Sequence, residues 1–189
     1  MSSERGELLD AALRALSADP TATLSDVAAA AGVRRVTLHR HFGSRDDLLR
    51  ELALRSLASM DAACEAAAGN AASYTAALRA IVEALVPVGD RFHFLWKLSA
   101  VWEDPQVAAR VAEQNRELSV LVDHAKQEGG IAADVPNAWV LAAVEAVVFA
   151  ALSAAREGNI AVNDAGRLAG RTLFDGFRPA PKRRRGKSH

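Results

Sequence analysis

Between Asp26 and Asp46 the chain carries no acidic residue, yet it holds Arg34, Arg35, Arg40, Arg45, His39 and His41 there. Guanidinium and imidazole groups at this density suit two contacts: charge pairing with phosphates and hydrogen bonding to base edges. Residues 35–42 read as one short helix. Leu38 and Phe42 stand four apart and share a face assigned to the core. The opposite face carries Val36, Thr37, His39 and Arg40, with Arg34 and Arg35 at its leading end. An apolar Val36 on the wet side has no packing role and suits contact with a thymine methyl. A cationic helix locked by its apolar edge is what reading the major groove of double-stranded DNA requires. Arg35, Val36 and Arg40 are expected to face bases, and Arg34 either a base or a phosphate. Thr37, His39, His41 and Arg45 are expected to anchor phosphates, with Thr23 and Ser25 touching the backbone from the preceding helix. Catalysis is not indicated. No nucleophile–base–acid arrangement or metal-ligand spacing occurs, and His39 and His41 lie roughly 200° apart around a helix. No enzymatic activity and no cofactor are expected.

A short helix of this kind needs partners to hold it. Thr23 can cap a preceding helix, with Asp26 three residues on closing the box. Val27, Ala28 and Ala31 give that helix a buried side. Ala28 and Gly32, small and four apart, permit a close crossing, and Gly32 suits the left-handed conformation that ends a helix. Residues 3–17 carry an apolar stripe (Leu8, Leu9, Ala12, Leu13, Leu16), stopped at Asp19-Pro20, that can close a three-helix core. Ser44 with Asp47 opens a fourth helix of about 24 residues, roughly 36 Å long. It ends at Gly69-Asn70. One stiff rod thus joins the basic helix to the rest of the chain.

The stretch AGVRRVTLHRHFGSRDDLL resembles the DNA-binding signature of the TetR family of bacterial one-component regulators, which reads roughly A-G-V-S-x-x-T-L-Y-R-H-F-x-S-K-x-x-L-L. The resemblance spans three consecutive structural elements and covers about residues 5–55. Two positions depart from it. Arg34 stands where a capping Ser is common, and His39 stands where a Tyr commonly reaches a phosphate.

The 189 residues are half apolar and rich in alanine, and nothing reads as an alternating strand. The expected fold is all-α, with an N-terminal three-helix helix-turn-helix DNA-binding domain and a C-terminal helical ligand-binding and dimerisation domain. Net charge is zero but unevenly spread. Residues 1–50 hold seven basic and seven acidic groups, 51–177 ten and sixteen, and 178–187 six basic and none acidic. Cys64 is the single cysteine, which fits a reducing cytosol and a small core residue. The polar opening SSERGE is unlike a signal peptide. Residues 138–155 come nearest to a membrane span, but they include Glu145 and eight alanines. They are read as a buried or interfacial helix, so no membrane partner is expected. The protein is expected in the cytoplasm, on the nucleoid when bound to DNA.

The expected division is a head at 1–50, a body at 51–178 and a basic, disordered tail at 179–189. Five amphipathic segments follow the GNAAS boundary at 69–73: 74–86 stopped by Pro87, 91–102, 105–128, 137–156, and a last helix capped by Asn163 with Leu168, Leu173, Phe174 and Phe177 inward. Segment 91–102 is apolar on nearly all sides. It is either buried all round or lines a cavity in which Phe92, Trp96, Trp102, Trp139 and Phe149 form apolar walls. His93, Gln114 and Glu145 would then supply the polar groups. The resemblance implies an effector pocket in this region and a four-helix dimer interface built from the last two helices of each subunit. Ala142, Ala143, Ala146, Ala150 and Ala154 would permit close approach there. Two recognition helices about 34 Å apart would read both halves of a palindrome. The expected function is a homodimeric regulator, a repressor released from a palindromic operator by a small-molecule effector. Two alternatives stand beside it: a DNA-binding regulator whose C-terminal domain binds a protein or no ligand, and a sequence-independent architectural DNA binder. The basic run at 182–185 would add phosphate contacts or remain solvated.

Overall fold

The computed structural model describes residues 2–176. Phe177 and the basic run at 182–185 lie outside the described residues. The described chain is helical throughout: α1 (Ser2–Ala18), α2 (Leu24–Ala30), α3 (Arg35–Phe42), α4 (Arg45–Ala68), α5 (Tyr74–Phe92), α6 (Ser99–Trp102), α7 (Pro105–Gln127), α8 (Asn137–Arg156) and α9 (Val162–Gly176). A 3-10 turn, His93–Lys97, separates α5 from α6.

Local chemistry sets the head. The Thr23 hydroxyl accepts from Asp26 N–H at 3.3 Å while Thr23 N–H donates to the Asp26 carboxylate at 2.8 Å. Two otherwise unpaired donors at the start of α2 are thereby satisfied. Gly32, at φ +68°, turns the chain so that Val33 N–H reaches back to the Ala28 carbonyl at 3.0 Å. Residues with a Cβ resist that conformation. Ser44 and Asp47 repeat the box at α4, with Asp47 N–H donating to the Ser44 hydroxyl at 3.0 Å. Leu8, Ala12, Leu16, Val27, Ala28, Leu38, Phe42, Leu48 and Leu52 then meet in one core.

That core does not end with α4. Phe92, Phe94, Leu95, Val101 and Val107 belong to the same buried cluster, so the turn after α5 plugs the underside of the head. The second core gathers Leu78, Val82 and Val86 of α5, Val122 of α7, Val140, Val144, Val148 and Leu152 of α8, and Ala165, Ala169, Leu173 and Phe174 of α9.

Four expectations need correction. Pro87 does not stop α5, which continues to Phe92. Proline has no N–H for the Glu83 carbonyl four residues back. That carbonyl instead faces Gly166 of α9, where an added Cβ would sit 2.7 Å from the oxygen. The lost bond falls where two helices need a close, side-chain-free crossing. Residues 91–102 form the end of α5, a 3-10 turn and the short α6 rather than one helix. Asn163 lies inside α9 rather than capping it, and Leu168 is exposed.

By composition α8 is long and apolar enough to cross a membrane, at mean hydropathy 2.0. In the fold Val140, Val144, Val148 and Leu152 pack inward, while Trp139 (64% exposed) and Phe149 (49%) face out with Ala142, Ala146 and Ala150.

Candidate nucleic-acid interface and internal cavity

The geometry of α3 follows from two buried side chains. Leu38 has no exposed surface and Phe42 is nearly as buried, which fixes the helix against α2 and α4. The opposite side then has to face out. Val36 is 70% exposed, and Arg34, Arg35, His39 and Arg40 are exposed beside it. Among the described residues, none of these four cationic or imidazole side chains has an ion-pair or hydrogen-bond partner. The N-cap, Arg34, makes no side-chain bond to the helix it opens. The result is a short ridge with free guanidinium donors around one exposed methyl-bearing side chain. Guanidinium forks match guanine edges and phosphates, and Val36 matches a thymine methyl.

The other expected DNA-contact residues are placed differently. Ser25 is exposed at the start of α2, and Thr37 is half-buried on the flank of α3. The Thr23 hydroxyl is engaged in its capping box, where it also donates to Asp26 at 2.6 Å. His41 shares the Thr37 flank. Its Nε2 lies 3.6 Å from Glu4 of α1, and its carbonyl accepts from the Arg5 guanidinium at 2.6 Å. Arg5 also pairs with Glu51 of α4 and sits 4.8 Å over the Phe42 ring. It thereby bolts α1, α3 and α4 together, a role that no local spacing reveals. Arg45 donates to the carbonyls of Ala22 at 3.0 Å and Pro20 at 2.6 Å. Its charge holds the α1–α2 loop against the start of α4 instead of standing free on the ridge.

A cavity of about 630 Å3 opens between α4, α5, α7 and α8. Trp96, Gln114 and Glu145 line it. The other five expected residues are not part of its wall. Phe92 is sunk in the core shared with the head. Trp102 is turned back to donate to the Leu95 carbonyl at 3.0 Å. Trp139 points outward. Phe149 stacks on Trp96 at 5.5 Å between ring centres, on the exposed side of α8. His93 has a buried Nδ1 without a hydrogen-bond partner. Burial, with Arg156 and Lys97 nearby, lowers its pKa and favours the neutral ring.

What the sequence did not signal is the contribution of α4 itself. Leu57, Met60, Asp61 and Cys64 all face the cavity. Their spacing of three and four along one helix was legible, but the same spacing equally fits a solid core. Burial, and secondarily the charge of Asp61, pushes the Cys64 thiol up to about 11. The wall holds three carboxylates, Asp61, Glu117 and Glu145, and no lysine, arginine or histidine. Among the described residues Glu117 and Glu145 have no ion-pair or hydrogen-bond partner. Nor does any group of three His, Cys, Asp or Glu side chains there suit a metal ion.

This arrangement has relatives. The family model for bacterial regulatory proteins of the tetR family matches residues 8–52, which span most of α1, all of α2 and α3, and the start of α4. The HTH-type transcriptional repressor LfrR of Mycolicibacterium smegmatis is 34% identical over 154 residues, covering 82% of this chain and 80% of that protein. The crystal structure of LfrR in complex with proflavine superposes with a TM-score of 0.74 at 31% identity, over 94% of this chain and 99% of that one. The ketosteroid regulator KstR2 of Mycobacterium tuberculosis, at 18% identity, shares the fold with a TM-score of 0.77 over 95% and 97% of the two chains. The likeness therefore runs through head and body alike, and the chain belongs to the TetR family of bacterial transcriptional regulators.

Proposed function

We propose that this regulator is a homodimeric repressor that holds a palindromic operator and is released from it by a cationic, planar aromatic effector. The observation that carries the DNA half is the unpartnered ridge of α3. Arg35, Val36 and Arg40 read base edges in the major groove, while Arg34, His39 and the flank residues Thr37 and His41 approach phosphates with Ser25 and Thr23 of α2. Arg45 acts on DNA chiefly by holding the loop that presents α2.

One such ridge reads too few base pairs for specific binding, and a second copy supplies the other half-site about 34 Å away. The outward side of α8, with Trp139, Phe149 and small alanines between them, together with Leu168 of α9, suits a partner presenting the same face. Large apolar side chains exposed together on neighbouring helices mark an interaction site.

The effector class follows from the cavity wall and from the relative. LfrR forms a crystal complex with proflavine, a planar aromatic cation. In this chain the wall combines an indole with carboxylates and lacks any cationic side chain. The unpaired carboxylates Glu117 and Glu145 are exposed at the rim of this apolar wall, where they attract a delocalised cation toward the Trp96 ring. Selection of binding sites from random duplexes, followed by fluorescence anisotropy with and without proflavine, tests the whole reading. A palindrome is expected to emerge, bound by two copies and released by proflavine. Equal affinity for every duplex would leave an architectural binder instead.

A further inference from the structure

We propose that Asp61, Arg110 and Gln114 form the latch through which the cavity's occupant is sensed: a cationic ligand takes Asp61 from Arg110 and so unties α4 from α7. The inference rests on the effector reading above and adds its point of action.

Asp61 lies on α4, the rod that begins at the DNA-binding head. Its Oδ2 accepts from Arg110 of α7 at 2.5 Å, and its Oδ1 accepts from Gln114 Nε2 at 2.5 Å. Gln114 Nε2 also reaches the Leu57 carbonyl of α4 at 3.1 Å. Asp61 and Gln114 belong to the cavity wall, whereas Arg110 does not. The carboxylate that ties the two helices is therefore the one a ligand can touch. Its present cation approaches from outside the cavity. Arg110 also has a second partner, since its Nη1 donates to Glu113 Oε2 at 2.7 Å on its own helix. Losing Asp61 leaves the guanidinium paired, which makes the exchange one ion pair for another.

A second tie fixes the pivot. Arg50 of α4 bonds Asp104, the N-cap of α7, at 2.6 Å. Eleven residues separate Arg50 from Asp61, or about 16 Å of helix. With the Asp61 tie released and the Arg50 tie kept, α4 rotates about its head-side end. Leu48, Leu49 and Leu52 share their core with Leu38 and Phe42, so the rotation carries α3 with it. In a dimer that alters the separation of the two ridges.

The test uses the full chain, the duplex selected for it and proflavine as probe, with Arg110→Gln, Arg110→Lys and Glu145→Gln variants. Arg110→Gln is expected to bind proflavine several-fold tighter, because its competitor for Asp61 is gone. Without proflavine it should bind the duplex about tenfold more weakly, and the remaining proflavine effect should shrink. Opposite movements of the two affinities separate a latch from simple loss of stability. Arg110→Lys should restore most of the response. Glu145→Gln should weaken proflavine binding several-fold, and unchanged proflavine affinity in that variant would overturn the effector reading. A wild-type protein released by proflavine, beside an Arg110→Gln variant with the same duplex affinity and response, would overturn the latch alone. A wild-type protein that keeps its duplex at saturating proflavine, or does not bind proflavine, would overturn the effector reading and the latch with it.

Discussion

Arg50 on α4 and Asp104 at the start of α7 meet at 2.6 Å, and the same Asp104 carboxylate accepts from Gln106 N–H at 2.9 Å and Val107 N–H at 3.3 Å. One side chain thus caps a body helix and anchors the rod that bears the head. Asp104→Ala removes both functions, whereas Arg50→Ala removes one and leaves the cap. Thermal melting should show a larger drop for Asp104→Ala, by a few degrees. Both variants should lose affinity for the selected duplex. Equal melting temperatures would mean that the cap contributes nothing.

Arg35 and Arg45 should separate reading from bracing. Arg35→Ala leaves every described contact intact and should cost about 1–3 kcal/mol at the selected duplex, with relaxed specificity at one base pair. Its melting temperature should not move. Arg45→Ala strands the Pro20 and Ala22 carbonyls. It should weaken all duplexes alike and lower the melting temperature. Anisotropy across a panel of mutated sites decides; identical profiles for the two variants would reject the assignment.

His39 stands exposed on the ridge. Its ring N–H can donate to a backbone phosphate, a contact that positions the helix without reading sequence. His39→Ala should therefore weaken every duplex by a similar factor and leave base preference unchanged. Unaltered affinity across the panel, with unchanged helicity by circular dichroism, would remove His39 from the contact set.

Carboxylates that bond helix starts should add to the acid sensitivity of the fold. The Thr23 hydroxyl holds Asp26, the Ser44 hydroxyl and Arg50 hold Asp47, and Arg50 holds Asp104, all below the ordinary aspartate value of 3.8. The Tyr74 and Thr75 N–H groups hold Glu128 of the α7 end below the ordinary glutamate value of 4.5. The folded chain binds these protons less tightly than the unfolded one. Their contribution is complete above those ordinary values and disappears as pH falls through the lower folded ones. Urea midpoints should be flat from pH 6 to 5 and decline below about pH 4. Asp47→Asn should show a shallower decline.

Cys64 faces the cavity with its thiol pushed up to about 11. At pH 7.5 the thiol is almost wholly protonated, so alkylation by iodoacetamide should be far slower than for a free cysteine. Saturating proflavine should slow it further by covering the wall. Rapid labelling of the folded protein, unaffected by proflavine, would place the thiol outside the site.

The head was legible because its instructions are local. Thr23 with Asp26, Gly32, Ser44 with Asp47, and the pair Leu38 and Phe42 each act within four residues. The bounds of α3 and α4 follow from them without knowledge of any other element. The aromatic segment after α5 was not legible in the same way. Its composition announced burial, but Phe92 and Phe94 enter the head's core, while Trp96 four residues on reaches the cavity. Periodicity gives the side that leaves water and is silent on which neighbour receives it.

By itself the sequence determined the helices of the head, the cationic outer side of α3 and the family, since caps, period and motif are properties of short stretches. Tertiary structure decided where Arg45 spends its charge, that Pro87 lies within a continuing helix with Gly166 across from Glu83, and that Asp61 meets Arg110 forty-nine residues away. Those outcomes depend on which helices cross and at what distance. Only the packing of the whole chain fixes that.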